Sequence, residues 1–124
     1  MTRPKLIPTQ IGGSLWLLRL EGEHDISTVS DLHRELDRFF ETGTSVVVDL
    51  AAATFVDSSI LRELIRGGLR LRPATTEKMA VVAPPGSAAA GLFELVDAAN
   101  NCFPVFDSVG AALEFCRSPA ALPA

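Results

Sequence analysis

At 124 residues, 48% apolar and 21% charged, the chain has room for one domain with a real core and the composition of an ordinary globule. Lysine and arginine number 11 against 15 aspartates and glutamates, and the formal charge of -4 gives no general attraction to nucleic acid or anionic lipid, so a nucleic-acid reader is not expected. No apolar run approaches the ~20 residues that a spanning helix needs, and Met1 to Lys5 lacks the apolar stretch of a signal peptide; a cytoplasmic protein without membrane insertion is expected.

Lys5 to Ile11 and Leu15 to Leu20 read as two strands joined by Gly12-Gly13-Ser14, a spacing that favours a tight hairpin. Pro8 cannot donate to a ladder and places the first strand at an edge. In the second, Trp16, Leu18 and Leu20 share one face while Leu15, Leu17 and Arg19 share the other, so both faces are expected to be covered, with Trp16 in the core.

After Gly22-Glu23-His24-Asp25 a helix is predicted to begin near Asp25 to Ser27 and to run to about Thr42, with Gly43 ending it. Val29, Leu32, Leu36, Phe39 and Phe40 recur every three or four residues and form its buried stripe. Val46 to Leu50 is a β-branched, nearly uninterrupted apolar run, the pattern of a strand internal to a parallel sheet. It leads through Phe55-Val56 into Asp57-Ser58-Ser59, which are capping residues, and a second helix follows from Ser59 to about Arg70. That helix is expected to bury Leu61, Leu64, Ile65 and Leu69 and to expose Arg62, Arg66 and Arg70 as a ridge. Like charges at this spacing cost an isolated helix roughly 0.2–0.5 kcal/mol per pair, which Glu63 partly offsets through Arg66; a docking surface would explain the cost, and so would chance.

Pro73 to Lys78 reads as a polar connection, Met79 to Ala83 as a third buried strand, and Pro84-Pro85-Gly86-Ser87 as a turn capping a helix from about Ser87 to Ala98. Cys102 to Phe106 is a short strand put at an edge by Pro104, and Ser108 caps a last helix carrying Val109, Ala112, Leu113 and Cys116. The order ββαβαβαβα defines an α/β fold, a mixed sheet with helices packed on it, over residues 1–117, with residues 118–124 a fraying tail. Cys102 and Cys116 lie fourteen apart with no histidine or cysteine cluster beside them; the expectation is two buried free thiols, no metal and no cofactor.

Several of these segments, in order and spacing, resemble the STAS domains, and among them the bacterial anti-sigma factor antagonists. Gly22-Glu23-His24-Asp25 is similar to that family's Gly-Glu-Leu-Asp, Val46 to Leu50 to its central strand, and Phe55-Val56-Asp57-Ser58-Ser59-Ile60-Leu61 to its Phe-hydrophobic-Asp-Ser-Ser-Gly-Leu; Leu92-Phe93 falls where the family often has Leu-Phe. The resemblance implies a regulatory module, not an enzyme, that binds an anti-sigma factor or serine-protein kinase and is phosphorylated by it on the first serine after the aspartate, here Ser58. The partner-binding residues it implies are His24, Asp25, Asp57, Ser58, Ser59 and Ile60, joined by Arg62 and Arg66 of the ridge.

Two residues depart from the family pattern. His24 replaces a leucine and is expected as a surface histidine in a loop. Ile60 replaces a glycine, and its side chain is expected to project at the start of the second helix, obstructing a close-fitting kinase or serving as an apolar contact for a partner. No serine-histidine-acid arrangement and no phosphate-cradling glycine loop is present, so any nucleotide would be brought by the partner. Two other readings stand beside the antagonist: an unphosphorylated STAS subunit of another assembly, such as a lipid-transport ATPase or a sensory complex, and a domain binding a small ligand. Whether two copies associate is left open by the residues.

Overall fold

In the computed structural model the described residues are 3–71, 76–94 and 102–118. They form a six-stranded sheet in the order β1-β2-β3-β5-β6, with β4 paired to β2 beside that path. β1 (Lys5–Gly12) runs antiparallel to β2 (Leu15–His24), from Lys5 opposite Glu21 to Gln10 opposite Trp16, and every other pairing is parallel. β3 (Ser45–Asp49) and β5 (Met79–Val82) are buried at every residue, the signature of strands covered on both faces. β6 (Val105–Phe106) closes the far edge against β5.

Alternation along the strands divides the core in two. Leu18, Leu20, Val46, Val48 and Val81 meet α1 (Val29–Glu41), through Leu32, Leu36 and Phe39, and α2 (Ser58–Arg70), through Ile60, Leu61 and Leu64. Leu15, Val47, Ala80 and Val82 meet α4 (Val109–Arg117) at Ala112. Trp16 stacks on Phe39 at the border of the first cluster, with ring centroids 5.3 Å apart. Gly43, at φ +73, ends α1 in the left-handed conformation that costs glycine least. The Ser108 hydroxyl accepts from the Ala111 amide as the expected cap of α4.

The structure differs from the sequence expectations in several places. Ala53–Val56 forms β4, a strand the apolar run concealed, so the order is ββαββαβαβα. By pairing with Gly22, Glu23 and His24, β4 extends β2 through what had read as a loop. A 3-10 turn, Ile26–Thr28, precedes α1. Leu69 is 51% exposed; the buried face of α2 passes instead through Gly67 and Gly68. A Cβ on Gly68 would stand 2.4 Å from the Cys102 carbonyl oxygen, so the missing side chain is what lets that backbone approach. α3 spans Ala88–Glu94, and the rest of the helix expected to Ala98, most of the connection from Pro73, and the tail from residue 119 lie outside the described residues. Both cysteines are free thiols, but half-buried; burial pushes the Cys116 thiol up to about 11, against the pull of Lys78.

Candidate functional site: two aspartate-capped turns on one rim

β2 and β4 end side by side, with His24 opposite Val56, and Asp57 donates its amide to the His24 carbonyl at 3.3 Å. The next residue on each strand is an aspartate in extended conformation that caps the turn or helix after it. Asp25 accepts from the Ser27 amide at 2.9 Å and the Ser27 hydroxyl at 2.5 Å. Asp57 accepts from the Ser59 amide at 3.0 Å and the Ser59 hydroxyl at 2.5 Å, and also from the Ile60 amide at 3.3 Å. The rim is thus two copies of one Asp-X-Ser device, the second opening α2. The hydroxyl and amide of Ser27 hold the Asp25 carboxyl below its ordinary value.

The residue between aspartate and second serine has no part in this bonding and faces outward. In the first copy it is Ile26, 72% exposed; in the second it is Ser58, also exposed. Among the described residues the Ser58 hydroxyl takes no hydrogen bond, whereas Ser27 and Ser59 have theirs committed to carboxylates. Ser58 is therefore not the cap it was expected to be: Asp57 occupies that position and Ser58 is the first helical residue. Phe55, half-exposed on β4, is a second apolar residue at this end of the sheet; in the sequence it stands only as part of the motif before Asp57, and the exposure of neither it nor Ile26 is legible there. Only knowledge that their strand and turn lie uncovered could have singled them out.

His24 and Ile60, the two departures from the family pattern, both point inward. His24 is 0% exposed: Nε2 donates to the Glu21 carbonyl at 2.9 Å, and Nδ1 meets the Thr28 hydroxyl at 3.1 Å. The Thr28 hydroxyl also donates to the Asp25 carbonyl at 3.2 Å, and through these contacts the histidine ties β2 to the turn after Asp25 from beneath. The surface reading of His24 is corrected by β4, which continues the sheet over it. Ile60 is 0% exposed within the main core. It neither obstructs the rim nor offers a partner an apolar contact, because Asp57 at the cap turns the third helical residue toward the sheet.

The arginine ridge divides as well. Arg62 is exposed and makes no ion pair among the described residues. Arg66 donates through Nη2 to Glu63 at 2.5 Å and to Asp37 of α1 at 3.1 Å, and Arg70 pairs with Asp37 too. His33 stands between the same acids, 2.9 Å from Asp37 and 3.2 Å from Glu63. The Glu63 side chain is only 7% exposed, and its hydrogen bond raises the Arg66 guanidinium, while burial opposes that shift. Desolvation would push the Asp37 carboxyl up, but the Arg66 hydrogen bond and the charges of Arg66, His33 and Arg70 hold it below its ordinary value. Arg66 is thus part of the seam between α1 and α2, not of a free docking ridge. Among the described residues no group of three or more His, Cys, Asp or Glu could hold a metal ion, and no helix is long and apolar enough to cross a membrane.

The mixed sheet, its two covered faces and the rim of paired turns define an α/β domain that presents a short polar edge. The family model described as "Mlab, STAS domain" matches residues 9–102, 94 of the 124 residues. The chain belongs to this STAS family. Among solved structures it is similar to an anti-sigma factor antagonist from Mycobacterium paratuberculosis, with a TM-score of 0.80 and 21% identity over 94% of this chain and 96% of that one. It is also similar to the anti-sigma factor antagonist SpoIIAA in its unphosphorylated form, with a TM-score of 0.66 and 16% identity over 92% of this chain and 99% of that one. At these identities the likeness establishes the fold. No curated protein matches the sequence.

Proposed function

We propose that the chain is an anti-sigma factor antagonist. It sequesters an anti-sigma factor of the serine-kinase type at the rim formed by the Asp25 turn and the start of α2, performs no catalysis itself, acts in the cytoplasm, and is switched by phosphorylation of Ser58. The observation that carries this reading is the allotment of hydroxyls at the rim: of Ser27, Ser58 and Ser59, only Ser58 is exposed with its oxygen uncommitted. In the transfer, the Ser58 Oγ attacks the γ-phosphorus of ATP held by the partner, its proton passes to a base of the kinase, and the bond to the β,γ-bridging oxygen breaks to release ADP. The added charge of about -1.5 to -2 falls beside Asp57 and Asp25, so the binding surface becomes strongly negative locally while the core beneath it is untouched.

The inward turn of Ile60 supports the reading, since no side chain at that position stands between Ser58 and a kinase cleft. A second reading, an unmodified STAS subunit of another assembly, is favoured by the family description, which names Mlab and not an antagonist. The two separate on incubation with candidate anti-sigma serine kinases and ATP, followed by intact-mass measurement. One phosphate on the wild type, none on Ser58→Ala and one on Ser59→Ala is the expected result; no phosphate on any of them favours the unmodified subunit.

A further inference from the structure

Arg62 lies one helical turn beyond Ser58, on the same face of α2. Side chains on a helix lean toward its N-terminus, so a residue at i+4 reaches back over residue i, and the order anion first, cation second is the favourable one. The other described arginines of α1 and α2 are engaged, Arg66 and Arg70 with Asp37, Arg34 with Asp31 and Arg38 with Glu35, as is Arg19 of β2 with Asp49. A phosphate on Ser58 could not draw on the amides of Ser59 and Ile60, the usual donors at a helix start, because Asp57 already holds both. It would also sit next to the Asp57 carboxylate and near that of Asp25. The charge that modification brings to this rim needs a side-chain cation, and Arg62 is the uncommitted cation on the same helix, at the i+4 spacing from Ser58.

We propose that Arg62 is the internal counter-ion of a phosphate on Ser58. The proposal rests on the reading of Ser58 as the modified residue and gives that modification a second effect. In the unmodified protein Arg62 is a free cation on the exposed face of α2. In the phosphorylated protein the guanidinium folds back onto the phosphate, and the surface loses that cation at the moment it gains a dianion. The electrostatic change seen by a partner therefore exceeds that of the phosphate by itself, and the helix start is held rather than frayed.

The test installs phosphoserine at position 58 of the full chain by genetic encoding, so that it does not depend on any kinase. The second ionisation of the phosphate is then followed by phosphorus NMR against pH. With Arg62 in place it is expected roughly a few tenths of a pH unit lower than in Arg62→Gln, and Arg62→Lys should restore much of the difference. Arg34→Gln, which removes an equal charge from α1, should leave it where it was. Equal ionisation in the wild type and Arg62→Gln overturns the proposal, as does an equal shift from Arg34→Gln, which would reduce the effect to net charge. A shift confined to Arg62 in a chain that no kinase modifies would keep the counter-ion and remove the antagonist reading. The reverse result would do the opposite.

Discussion

Asp25 and Asp57 follow paired residues at the ends of neighbouring parallel strands, and each binds the serine two positions on through both its amide and its hydroxyl. The duplication explains why the rim is polar yet rigid. Each aspartate satisfies donors that a turn or helix start would otherwise leave unpaired, and in doing so commits one serine and sets free the residue before it. In one copy the freed position presents isoleucine and in the other a serine. Removing the carboxylate that opens α2, Asp57→Ala, leaves the Ser59 and Ile60 amides without their partner and should cost about 1–2 kcal/mol in a urea titration. A change within error would mean that the cap geometry contributes nothing to α2.

Ile60 supplies the sharpest contrast with expectations from the sequence. A residue projecting from the rim could be trimmed at the cost of helix propensity, about 1 kcal/mol for glycine. A residue at 0% exposure in the main core leaves a cavity as well, so Ile60→Gly should cost about 3 kcal/mol or more and should not speed phosphorylation of Ser58. Denaturant midpoints check the first statement and kinase progress curves the second. A stable, faster substrate would mean that the side chain faces outward.

The two ends of the former arginine ridge should part company. Arg62→Ala removes an exposed side chain without an ion pair and should change stability by less than about 0.5 kcal/mol. Arg66→Ala leaves the nearly buried Glu63 carboxylate facing Asp37 without its main partner, and should cost about 1–2 kcal/mol. Adding Glu63→Gln to Arg66→Ala should recover part of the loss, which a double-mutant cycle measures. Equal small effects from both arginines would return Arg66 to an ordinary solvated position.

The same seam sets an acid dependence. The Asp37 carboxyl is held below its ordinary value in the folded chain, so its pairing contributes stability that is fully present above the unfolded value of 3.8 and is lost as pH falls through the lower folded value. Asp37→Asn should therefore be less stable than the wild type at pH 7, with the gap narrowing below about pH 4 as the wild-type carboxylate is protonated. Urea midpoints of both proteins between pH 7 and pH 3 provide the check. A gap that does not depend on pH would point to packing as the role of Asp37.

Gly68 tests the closest approach in the fold. Alanine normally gains about 1 kcal/mol over glycine within a helix, but here its Cβ would meet a backbone oxygen that has no rotamer with which to yield. Gly68→Ala should lower the melting temperature. Gly67→Ala, whose tightest neighbour is the Leu36 side chain at 3.2 Å, should be the milder of the two.

What the sequence determined by itself is what depends on neighbours along the chain. The apolar run at Val46–Leu50, the stripe of α1, the caps at Asp25 and Ser108, and the break at Asp57-Ser58-Ser59 all follow from local dihedral preferences and from periods of two or 3.6 residues. The tertiary structure decided what depends on distant partners. β4 exists because the chain turns after Leu50 and pairs with the end of β2, and that pairing carries His24 from an apparent loop into the interior. On α2, Leu61 and Leu64 are buried as their spacing predicts, but the share of Gly67 and Gly68 in the buried face was hidden because they carry no apolar signal. Their burial against Phe40 and Cys102 is a matter of close backbone approach; Ile60 shares that buried face, while Leu69 lies outside it. Arg66 and Arg62 look alike in sequence; Asp37, twenty-nine residues before Arg66, pairs with it across the seam of two helices and leaves Arg62 free.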